Sequence, residues 1–485
     1  MKILLINPPA ELESVLGIGK EFVQKYEPLG LLYIAAVIRE RGFEVSVIDA
    51  FAEDLSLEEL KSRVLNCKAD VIGISTLTCN GAFVFKFGQW LKKNIPQTCV
   101  VLGNIHASVY AQQYLENDCC DIVVHGEGEY TLLKIIESFS NKIRLESISA
   151  VSYINRDGKY CKTSNGAVVA DLTKLPLPAR DLINDKLYGL TEISNQTYVG
   201  GRGAVAKTMF TSRGCPNNCS FCIVKLDRKQ RFNDPMRVVD EIEMLQDKFN
   251  ASYITIMDPL FMGNTKRVFE ICSEIQKRGL HIKWGCDAHV RYISPELVEA
   301  MESAGCYSLD FGLESGVQRL LDNVRKGIRI DESKKAVNIV KKHSNIHIAG
   351  LFILGLPGER YEDSIKTIRF AKSLPLDMAQ FSILTPYPGS PLFNELSRAG
   401  ELDTGIRGDG SIDISVWERY SAYISFTNND PIWVTPELSP LKIKQLQKRA
   451  QREFYLRLPQ IIKHIRRIRM NNIIKIVKIA VRGFF

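Results

Sequence analysis

The sequence lacks the long apolar run that a membrane-spanning helix needs. Its 485 residues are 45% hydrophobic and 24% charged, which is ordinary for a globular protein. No uninterrupted apolar stretch approaches the roughly 20 residues that cross a bilayer. A signal-peptide pattern is also missing, because Met1 and Lys2 run directly into a strand-like segment at residues 3–6. We therefore expect a cytoplasmic protein of two or three domains.

The twelve cysteines lack both the regular spacing of a disulfide framework and the paired spacing of a zinc site. Nine are scattered, as expected for reduced thiols. The other three form the run Cys-Pro-Asn-Asn-Cys-Ser-Phe-Cys, at Cys215, Cys219 and Cys222. Zinc normally takes four Cys or His in two pairs, and no second pair follows here. Three thiolates at this spacing can instead bind three irons of a [4Fe–4S] cluster. Such a cluster normally takes four Cys, so one iron stays open for a substrate or cofactor.

The Cys-x3-Cys-x2-Cys run resembles the signature of the radical S-adenosylmethionine (SAM) superfamily. Phe221 places an aromatic ring directly before the third Cys, as in that family. The resemblance implies that the open iron chelates the amino and carboxylate groups of SAM, with Phe221 close to SAM. It also implies a one-electron reductant, such as flavodoxin or ferredoxin, that drives SAM cleavage to a 5′-deoxyadenosyl radical.

Residues 1–138 alternate buried-type strands with helices, which predicts a doubly wound parallel sheet. Ligands of such sheets bind beyond the carboxyl ends of the strands. No G-x-G-x-x-G follows the first strand, which disfavours a dinucleotide. Glycines at the strand ends let the backbone approach a large flat ligand. The strand ends carry Asn7, Pro8, Ser75, Thr76, Thr78, Gly103, His106, Gly126, Glu127 and Gly128.

Five segments of this region resemble the cobalamin-binding half of cobalamin-dependent radical SAM enzymes. They are ILLINPP, PLGLLYIAAVIRERGFEVSVIDA, VIGIST, VVLGNIHA and DIVVHGEGE. The resemblance implies that the strand-end residues named above bind cobalamin. Many such domains supply a His to the cobalt through Asp-x-His-x-x-Gly, and this sequence has no such motif. His106 and His125 are substitutes, although a loop His that caps a backbone group is the favoured interpretation of each. Glu127 and Glu129 fit equally well as acids at a helix N-terminus.

Residues 139–205 are predicted to connect two domains, with a hairpin at 151–162. Residues 206–428 then repeat the strand–helix pattern six times, which predicts a partial (β/α)6 barrel. In barrels of parallel strands, chemistry gathers at the C-terminal ends of the strands.

Three of these strand ends, LESG, LGLPGE and TPYPG, again resemble radical SAM motifs. The resemblance implies that Glu314 holds the ribose or amino group of SAM, and that Leu354 and Leu356 line its adenine and methionyl region. Asp258 is predicted to contact SAM or substrate, and Arg291 to pair with the SAM carboxylate through a bidentate fork. The alternatives are helix caps for Glu314 and Asp258 and a surface ion pair for Arg291.

Residues 429–485 are predicted to form a basic helical region. Residues 441–485 hold thirteen Lys or Arg and one Glu, a net charge of +12, whereas the whole chain carries +8. Isoleucines interleave with these basic residues. Such a helix can lie on an anionic membrane, bind RNA through phosphates, or pack across the barrel. We expect peripheral contact with the inner membrane surface and no specific nucleic acid, which favours a small-molecule or lipid-like substrate.

Together these features predict a cobalamin-dependent radical SAM enzyme that methylates an unactivated carbon. A cyclisation, ring contraction or oxidation with the same cofactors stays open, because the substrate face lies in loops. A methylthiotransferase is disfavoured, since the N-terminal domain has no second set of three Cys. A cobalamin or redox sensor without turnover is a further alternative, and the SAM-type strand ends argue against it.

Overall fold

The computed structural model describes residues 1–10, 23–141, 144–164, 166–188, 205–224 and 228–465. These residues form two parallel sheets, each covered by helices. The most C-terminal part of the predicted basic region, residues 466–485, lies outside the described residues. The domain boundaries predicted at 138, 205 and 428 stay predictions.

The first sheet has seven strands in the order β2-β1-β3-β4-β5-β6-β7. Its first five strands are parallel, which confirms the predicted doubly wound sheet. Chain order reverses between β1 and β3, and ligands of such sheets bind at this switch point. Its elements are β1 (Lys2–Asn7), α1 (Leu29–Glu40), β2 (Glu44–Asp49), α2 (Leu57–Cys67), β3 (Val71–Ser75), α3 (Gly81–Asn94), β4 (Cys99–Gly103), α4 (Ile105–Val109), α5 (Ala111–Glu116), β5 (Ile122–Val124), α6 (Glu129–Asn141), β6 (Val151–Ile154) and β7 (Tyr160–Lys162).

Local chemistry explains these elements. The central strands are apolar on both faces because helices cover both sides of the sheet. Helix α2 begins with a capping box, in which Ser56 and Glu59 satisfy each other's backbone amides. Helix α1 is followed by Gly42 at φ +81°, a backbone conformation that favours glycine.

The hairpin predicted in the connector is present. Strands β6 and β7 pair with each other and extend the sheet antiparallel to β5. The connector then returns to the same edge, where the Ala167 amide donates to the His125 carbonyl at 3.0 Å. The Glu127 amide donates to the Ala167 carbonyl at 2.8 Å. The connector therefore lies against the loop that follows β5.

The second sheet has six parallel strands in the order β8-β11-β12-β13-β14-β15, which confirms the predicted partial barrel. Buried residues of its strands and outer helices form one continuous core. Its elements are β8 (Ala206–Met209), β9 (Ser212–Arg213), β10 (Arg231–Phe232), α7 (Pro235–Phe249), β11 (Tyr253–Ile256), α8 (Thr265–Lys277), β12 (Lys283–Ala288), α9 (Pro295–Ser303), β13 (Cys306–Glu314), α10 (Gln318–Asn323), α11 (Ile330–His343), β14 (His347–Leu354), α12 (Tyr361–Ser373), β15 (Met378–Ile383), α13 (Pro391–Arg398), α14 (Pro440–Tyr455) and α15 (Leu458–Ile465).

The third barrel strand begins two residues later than the apolar run at 281–286 predicts. Trp284 and Cys286 face the surrounding helices and are 1% and 5% exposed. Because side chains alternate along a strand, Asp287 then faces the barrel interior. Its neighbour across the ladder is Asp310 of β13. The sequence interpretation missed this carboxylate because it ended the strand before it.

The first helix of the basic C-terminal region packs on the barrel. Ile443, Leu446, Ala450 and Phe454 of α14 are at most 1% exposed and belong to the barrel core. Helix α14 is therefore part of the barrel core, while the alternatives for the isoleucine-rich segment after it stay predictions. Among the described helices, none is both long and apolar enough to cross a membrane.

The two sheets meet through the ends at which their strands finish. Buried residues from both sheets share one core, which includes Leu102 of β4 and Leu384 after β15. A Cβ atom on Gly389, in the loop after β15, would lie 2.7 Å from Ile105 of α4. The Tyr110 hydroxyl donates to the Thr404 carbonyl at 3.0 Å. The predicted binding edge of each sheet therefore faces the other.

Candidate active site

The loop that carries the three cysteines rises from a short antiparallel ladder. Strands β9 and β10 pair at its base, with Arg213 opposite Arg231. Gly214, at φ +84°, turns the chain directly before Cys215. Farther along, the Ser220 amide donates to the Val324 carbonyl, and the Ser220 carbonyl accepts from the Leu392 amide, both at 2.9 Å. The loop is thus attached to the barrel at its base and at its far side.

The thiols of Cys215, Cys219 and Cys222 are close enough to influence one another. Burial raises the pKa of Cys219 and Cys222, and the neighbouring thiols raise it further. Lys326 acts in the opposite direction on both. Within the described ranges, no three His, Cys, Asp or Glu side chains converge on a single-ion metal site. A cubane binds its thiolates through separate irons, so three neighbouring thiols on one loop suit a cluster better than a single ion.

A buried ion pair lies beside these thiols. Lys326 Nζ is 2.6 Å from Glu314 Oε1, and the two side chains are 12% and 8% exposed. Burial opposes the charge on Lys326, but Glu314, Cys219 and Cys222 together raise its pKa. A Cβ on Gly312 would lie 2.7 Å from both charged atoms, so only glycine leaves room for the pair.

Glu314 itself has φ +58°, a region that non-glycine residues seldom occupy. Backbone strain of this kind is commonly found at functional sites. Lys326 lies twelve residues after Glu314 in a segment without a readable pattern, so sequence reasoning missed it.

Asp258 supports the strand that leads to the cysteine loop. Its carboxylate is completely buried and accepts hydrogen bonds from the Thr211 amide at 2.6 Å, the Thr211 hydroxyl at 2.5 Å and the Ser212 hydroxyl at 2.7 Å. Burial raises the pKa of Asp258, and these donors oppose the rise. Its predicted contact with SAM or substrate stays untested. The structure shows it holding β9 in place.

The barrel interior contains two neighbouring carboxylates, Asp287 and Asp310. The Asp287 side chain has accessible surface that faces the space inside the barrel, and protein surrounds that space. Burial, followed by the charge of Asp310, raises the pKa of Asp287 to about 7. Tyr26, from the N-terminal half of the chain, lies near both carboxylates, and burial with their charges raises its pKa to about 12. Both halves of the chain therefore contribute to this interior.

The remaining predicted SAM contacts differ in their surroundings. Phe221 is half-buried against the core that the two sheets share. Leu354 and Leu356 have no exposed surface; Leu354 belongs to the barrel core and Leu356 to the core that the two sheets share. Arg291 is half exposed, and its Nε lies 3.9 Å from Glu332, which is the surface ion pair weighed as an alternative. These four contacts with SAM stay predictions.

His289, which precedes Arg291, is a further residue that the sequence interpretation passed over. Its Nε2 is buried and has no hydrogen-bond partner in the described part of the chain. Burial, with Lys326 and Arg291 nearby, lowers its pKa to about 4. His289 is therefore a neutral group next to the Lys326–Glu314 pair.

The facing edge of the first sheet offers neutral polar groups around the switch point. The Asn7 amide donates to Asp49 at 2.8 Å, and the Asn104 amide donates to the Ser75 hydroxyl at 3.1 Å. The buried Thr76 hydroxyl has no hydrogen-bond partner among the described residues. A Cβ on Gly103 would meet no described atom within 4 Å, so the backbone there is open to a ligand.

Pro8 and Thr78 are buried under this edge, whereas Gly126 and Gly128 are half-buried. Gly126 has φ +85°, which its loop after β5 requires. An open glycine backbone and an unpaired hydroxyl suit a large ligand that is bound mainly through neutral contacts. The residues present therefore fit cobalamin, and the individual contacts stay predictions.

The two histidines of this region, His106 and His125, are both buried. His106 is completely buried, 4.5 Å from the Trp417 ring and 4.7 Å from the Tyr110 ring. A Cβ on Gly81 would lie only 2.4 Å from its Nε2, and burial lowers its pKa to about 3. His125 Nε2 is 2.8 Å from the Ser152 hydroxyl. Both rings thus contact side chains, with His106 Nδ1 3.3 Å from the Thr78 hydroxyl, and the favoured capping of a backbone group is not seen for either among the described residues.

Glu127 and Glu129 bind arginines of the cysteine loop. Arg231 binds Glu127 through two hydrogen bonds, at 2.8 and 2.9 Å. Arg213 Nη2 donates to Glu129 at 2.7 Å, and its Nη1 lies 3.5 Å from Glu127. The loop after β5 is therefore attached directly to the base of the cysteine loop.

Comparison with known proteins agrees with this geometry. The B12 binding domain family matches residues 15–136, and the Radical SAM superfamily matches residues 209–371. An uncharacterized methyltransferase of Pyrococcus horikoshii is 31% identical over 96% of this chain and 95% of its own. An anaerobic magnesium-protoporphyrin IX monomethyl ester cyclase of Rubrivivax gelatinosus is 30% identical over 82% of this chain and 70% of its own. A cytidylyl-2-hydroxyethylphosphonate methyltransferase of Streptomyces wedmorensis is 26% identical over 83% of each chain.

Solved structures share the fold. The radical SAM methyltransferase TsrM from Kitasatospora setae superposes with a TM-score of 0.69 at 17% identity, over 91% of this chain and 86% of its own. The cobalamin-dependent radical SAM enzyme OxsB gives 0.68 at 18% identity over 86% of this chain. This chain spans 65% of the OxsB chain. The chain belongs to the family of cobalamin-dependent radical SAM enzymes, whose cofactors are a [4Fe–4S] cluster, SAM and cobalamin.

Proposed function

We propose that this enzyme methylates an unactivated carbon of a small-molecule substrate. The observation that carries the proposal is that the strand-end edges of the two sheets meet. Arg213 of the barrel domain forms ion pairs with Glu127 and Glu129 of the first domain, which links the two edges directly. When bound, the cluster and SAM supply a 5′-deoxyadenosyl radical that takes a hydrogen atom, and cobalamin supplies the methyl group. A substrate between the two edges would be within reach of both.

The residues of this chain bind and orient the reactants in this scheme. Lys326 and Glu314 carry opposite charges beside the cysteines, so they complement the carboxylate and ammonium of SAM. Asp258 keeps β9, and with it the start of the cysteine loop, in position. The carboxylates of Asp287 and Asp310 offer hydrogen-bond acceptors in the barrel interior. The apolar core shared by the two sheets limits the access of water to the reacting groups.

The proposal is tested with protein reconstituted under anaerobic conditions. Dithionite stands in for the one-electron reductant, and SAM carries a deuterated methyl group. Extracts of a deletion strain, which accumulate the unprocessed substrate, serve as the substrate source. We expect 5′-deoxyadenosine together with a product that carries the labelled methyl. A protein with the Cys219→Ala change is the control and forms neither.

Cyclisation, ring contraction or oxidation is the second candidate, and the 30% identity to a cyclase over 82% of this chain favours it. In that case the same experiment gives 5′-deoxyadenosine and a changed substrate without the label. A sensor without turnover gives neither product even when the cluster and cobalamin are both bound. The labelled-methyl assay therefore separates all three functions.

We also propose that the C-terminal region contacts an anionic membrane surface, which makes a lipid-like substrate accessible. Four apolar side chains near its basic residues are 44–70% exposed: Leu441, Leu456, Leu458 and Ile462. Each basic residue near an anionic leaflet contributes about 1 kcal/mol, screened within a Debye length.

Sedimentation with vesicles that contain phosphatidylserine tests this contact. Binding at low salt, release at high salt and weaker binding after removal of residues 466–485, which carry six of the thirteen basic residues of 441–485, are expected. Truncation at 466 leaves α14 in the barrel core and Gln460 bonded to the Leu376 carbonyl. A full-length chain that stays in the supernatant at low salt would contradict the proposal.

A further inference from the structure

Two arginines face each other at the base of the cysteine loop. Arg213 of β9 and Arg231 of β10 are direct cross-strand partners in a ladder only two residues long. Like charges directly opposite each other destabilise an antiparallel pair. Negative charge from outside the loop is therefore needed to offset the repulsion between the two arginines and to keep β9 and β10 paired.

The first domain supplies that charge. Glu127 accepts two hydrogen bonds from Arg231 and lies 3.5 Å from Arg213, while Glu129 accepts from Arg213 at 2.7 Å. The four side chains are between 4% and 15% exposed, so solvent screens them little. Burial opposes the charge on Glu127, yet Arg231, Arg213 and the Val169 amide together lower its pKa. Both strands at the base of the cysteine loop are thus held by one carboxylate.

That carboxylate belongs to a loop at the proposed cobalamin edge. Glu127 stands between Gly126, at φ +85°, and Gly128, in the turn from β5 into α6. A ligand that contacts the backbone of this turn will change the position or the freedom of Glu127. Since Glu127 binds both arginines, the change reaches both ends of the cysteine loop.

We propose that Glu127, Arg213 and Arg231 form an interdomain clamp that couples cobalamin binding to the order of the cysteine loop. They are positioning residues, because they act on the cysteines and on the cofactor edge through the loops that carry them. The inference rests on the proposed function, in which cobalamin binds at the edge that includes Gly126. Coupling is reciprocal, so an assembled cluster also raises the affinity for cobalamin.

Hydrogen–deuterium exchange of peptides from residues 212–232 measures this coupling. The reconstituted full-length chain is compared with and without saturating hydroxocobalamin, with occupancy read from its absorbance. We expect cobalamin to slow exchange of these amides about fivefold or more, the lower end of ordinary allosteric coupling. In Glu127→Gln at equal occupancy, the slowing should disappear.

Two further variants keep the result interpretable. Glu127→Gln combined with Arg231→Gln removes the carboxylate without leaving an unpaired Arg231 opposite Arg213, which keeps Glu129 as its partner, so the ladder can still form. It too should lose the coupling. Arg237→Gln is the matched control, because Arg237 joins α7 to the connector through the carbonyls of Thr173 and Leu175 without contacting Glu127. It should retain the full slowing.

The possible outcomes distinguish failure of the clamp from failure of the proposed function. Cobalamin binding that leaves exchange of residues 212–232 unchanged in the unaltered chain overturns the clamp and leaves the proposed function intact. The same holds if both Glu127 variants respond as the unaltered chain does. Failure of the unaltered chain to bind cobalamin overturns the proposed function and the clamp together.

Discussion

The two edges that form the site differ in charge. The barrel edge collects ionisable groups, with the Lys326–Glu314 ion pair beside the cysteines and Asp287 and Asp310 within the barrel. The facing edge offers amides, hydroxyls and open backbone, and its two glutamates are bound by arginines. The carboxylate, ammonium and sulfonium of SAM need charged partners when they leave water, whereas a large cofactor can be held by many neutral contacts. This difference supports the proposal that SAM binds at the charged edge and cobalamin at the neutral edge.

Cys219→Ala should produce the largest difference between the two edges in cofactor binding. Losing one thiolate of three should abolish cluster assembly and SAM cleavage, because no neighbouring Cys replaces it. Cobalamin binding at the other edge should persist. Iron content, 5′-deoxyadenosine and cobalamin absorbance report the three properties. Cys272→Ala, a change at a buried thiol of α8, is the control and should keep the cluster. Full SAM cleavage by Cys219→Ala would sink the assignment.

Lys326→Met tests the charged edge without touching a cluster ligand. We expect SAM to bind about 10- to 100-fold more weakly, a loss of roughly 1.4–2.8 kcal/mol, because its carboxylate loses a cation. Iron content and cobalamin affinity should stay the same. Equilibrium binding of SAM to the reconstituted protein provides the measurement. Lys334→Met, at an exposed residue of α11, is the control. Unchanged SAM affinity in Lys326→Met would show that the pair is only structural.

His106→Ala tests whether the neutral edge supplies a cobalt ligand. The ring packs against Trp417 and Tyr110, so its removal should lower the free energy of unfolding by about 2–4 kcal/mol. The absorption spectrum of bound cobalamin should not change, because His106 Nε2 faces Gly81. Denaturant unfolding and absorbance together give the answer. His281→Ala, in an exposed turn, should alter neither. A changed cobalt spectrum in His106→Ala would identify His106 as the ligand.

The last prediction concerns the pH dependence of the charged edge. The pKa of Asp287 rises from 3.8 to about 7 on folding, so its contribution to stability is complete below about pH 4 and is lost as pH rises through 7. Asp287→Asn should remove that part of the slope. Melting temperatures of the protein without cofactors, measured from pH 4 to 8, test the prediction. Parallel curves for Asp287→Asn and the unaltered chain would contradict it.

Local patterns in the sequence predicted most of the fold. The alternation of apolar strands with helices correctly predicted both parallel sheets. The cysteine spacing predicts which loop binds the cluster. The Lys326–Glu314 pair escaped prediction because its members meet only when the segment after β13 folds back. Asp287 escaped because the predicted strand ended before it, so its position opposite Asp310 was not foreseen.

The role of Glu127 shows the same limit. From the sequence, a glutamate in the loop after a strand can be interpreted equally well as a ligand contact or as an acid at a helix N-terminus. Its actual partners, Arg213 and Arg231, are 86 and 104 residues away along the chain. Contacts of that range depend on the placement of one domain against the other, which local periodicity does not encode.

The most direct test of the central claim is the magnetic interaction between the two metal centres. The claim is that the two edges hold their cofactors around one shared site. In protein loaded with cob(II)alamin and reduced to the [4Fe–4S]⁺ state, electron paramagnetic resonance should show signals that are broadened and split by mutual coupling. The same signals should narrow when either centre is left out. Spectra of the doubly loaded protein that equal the sum of the two singly loaded spectra would contradict the account.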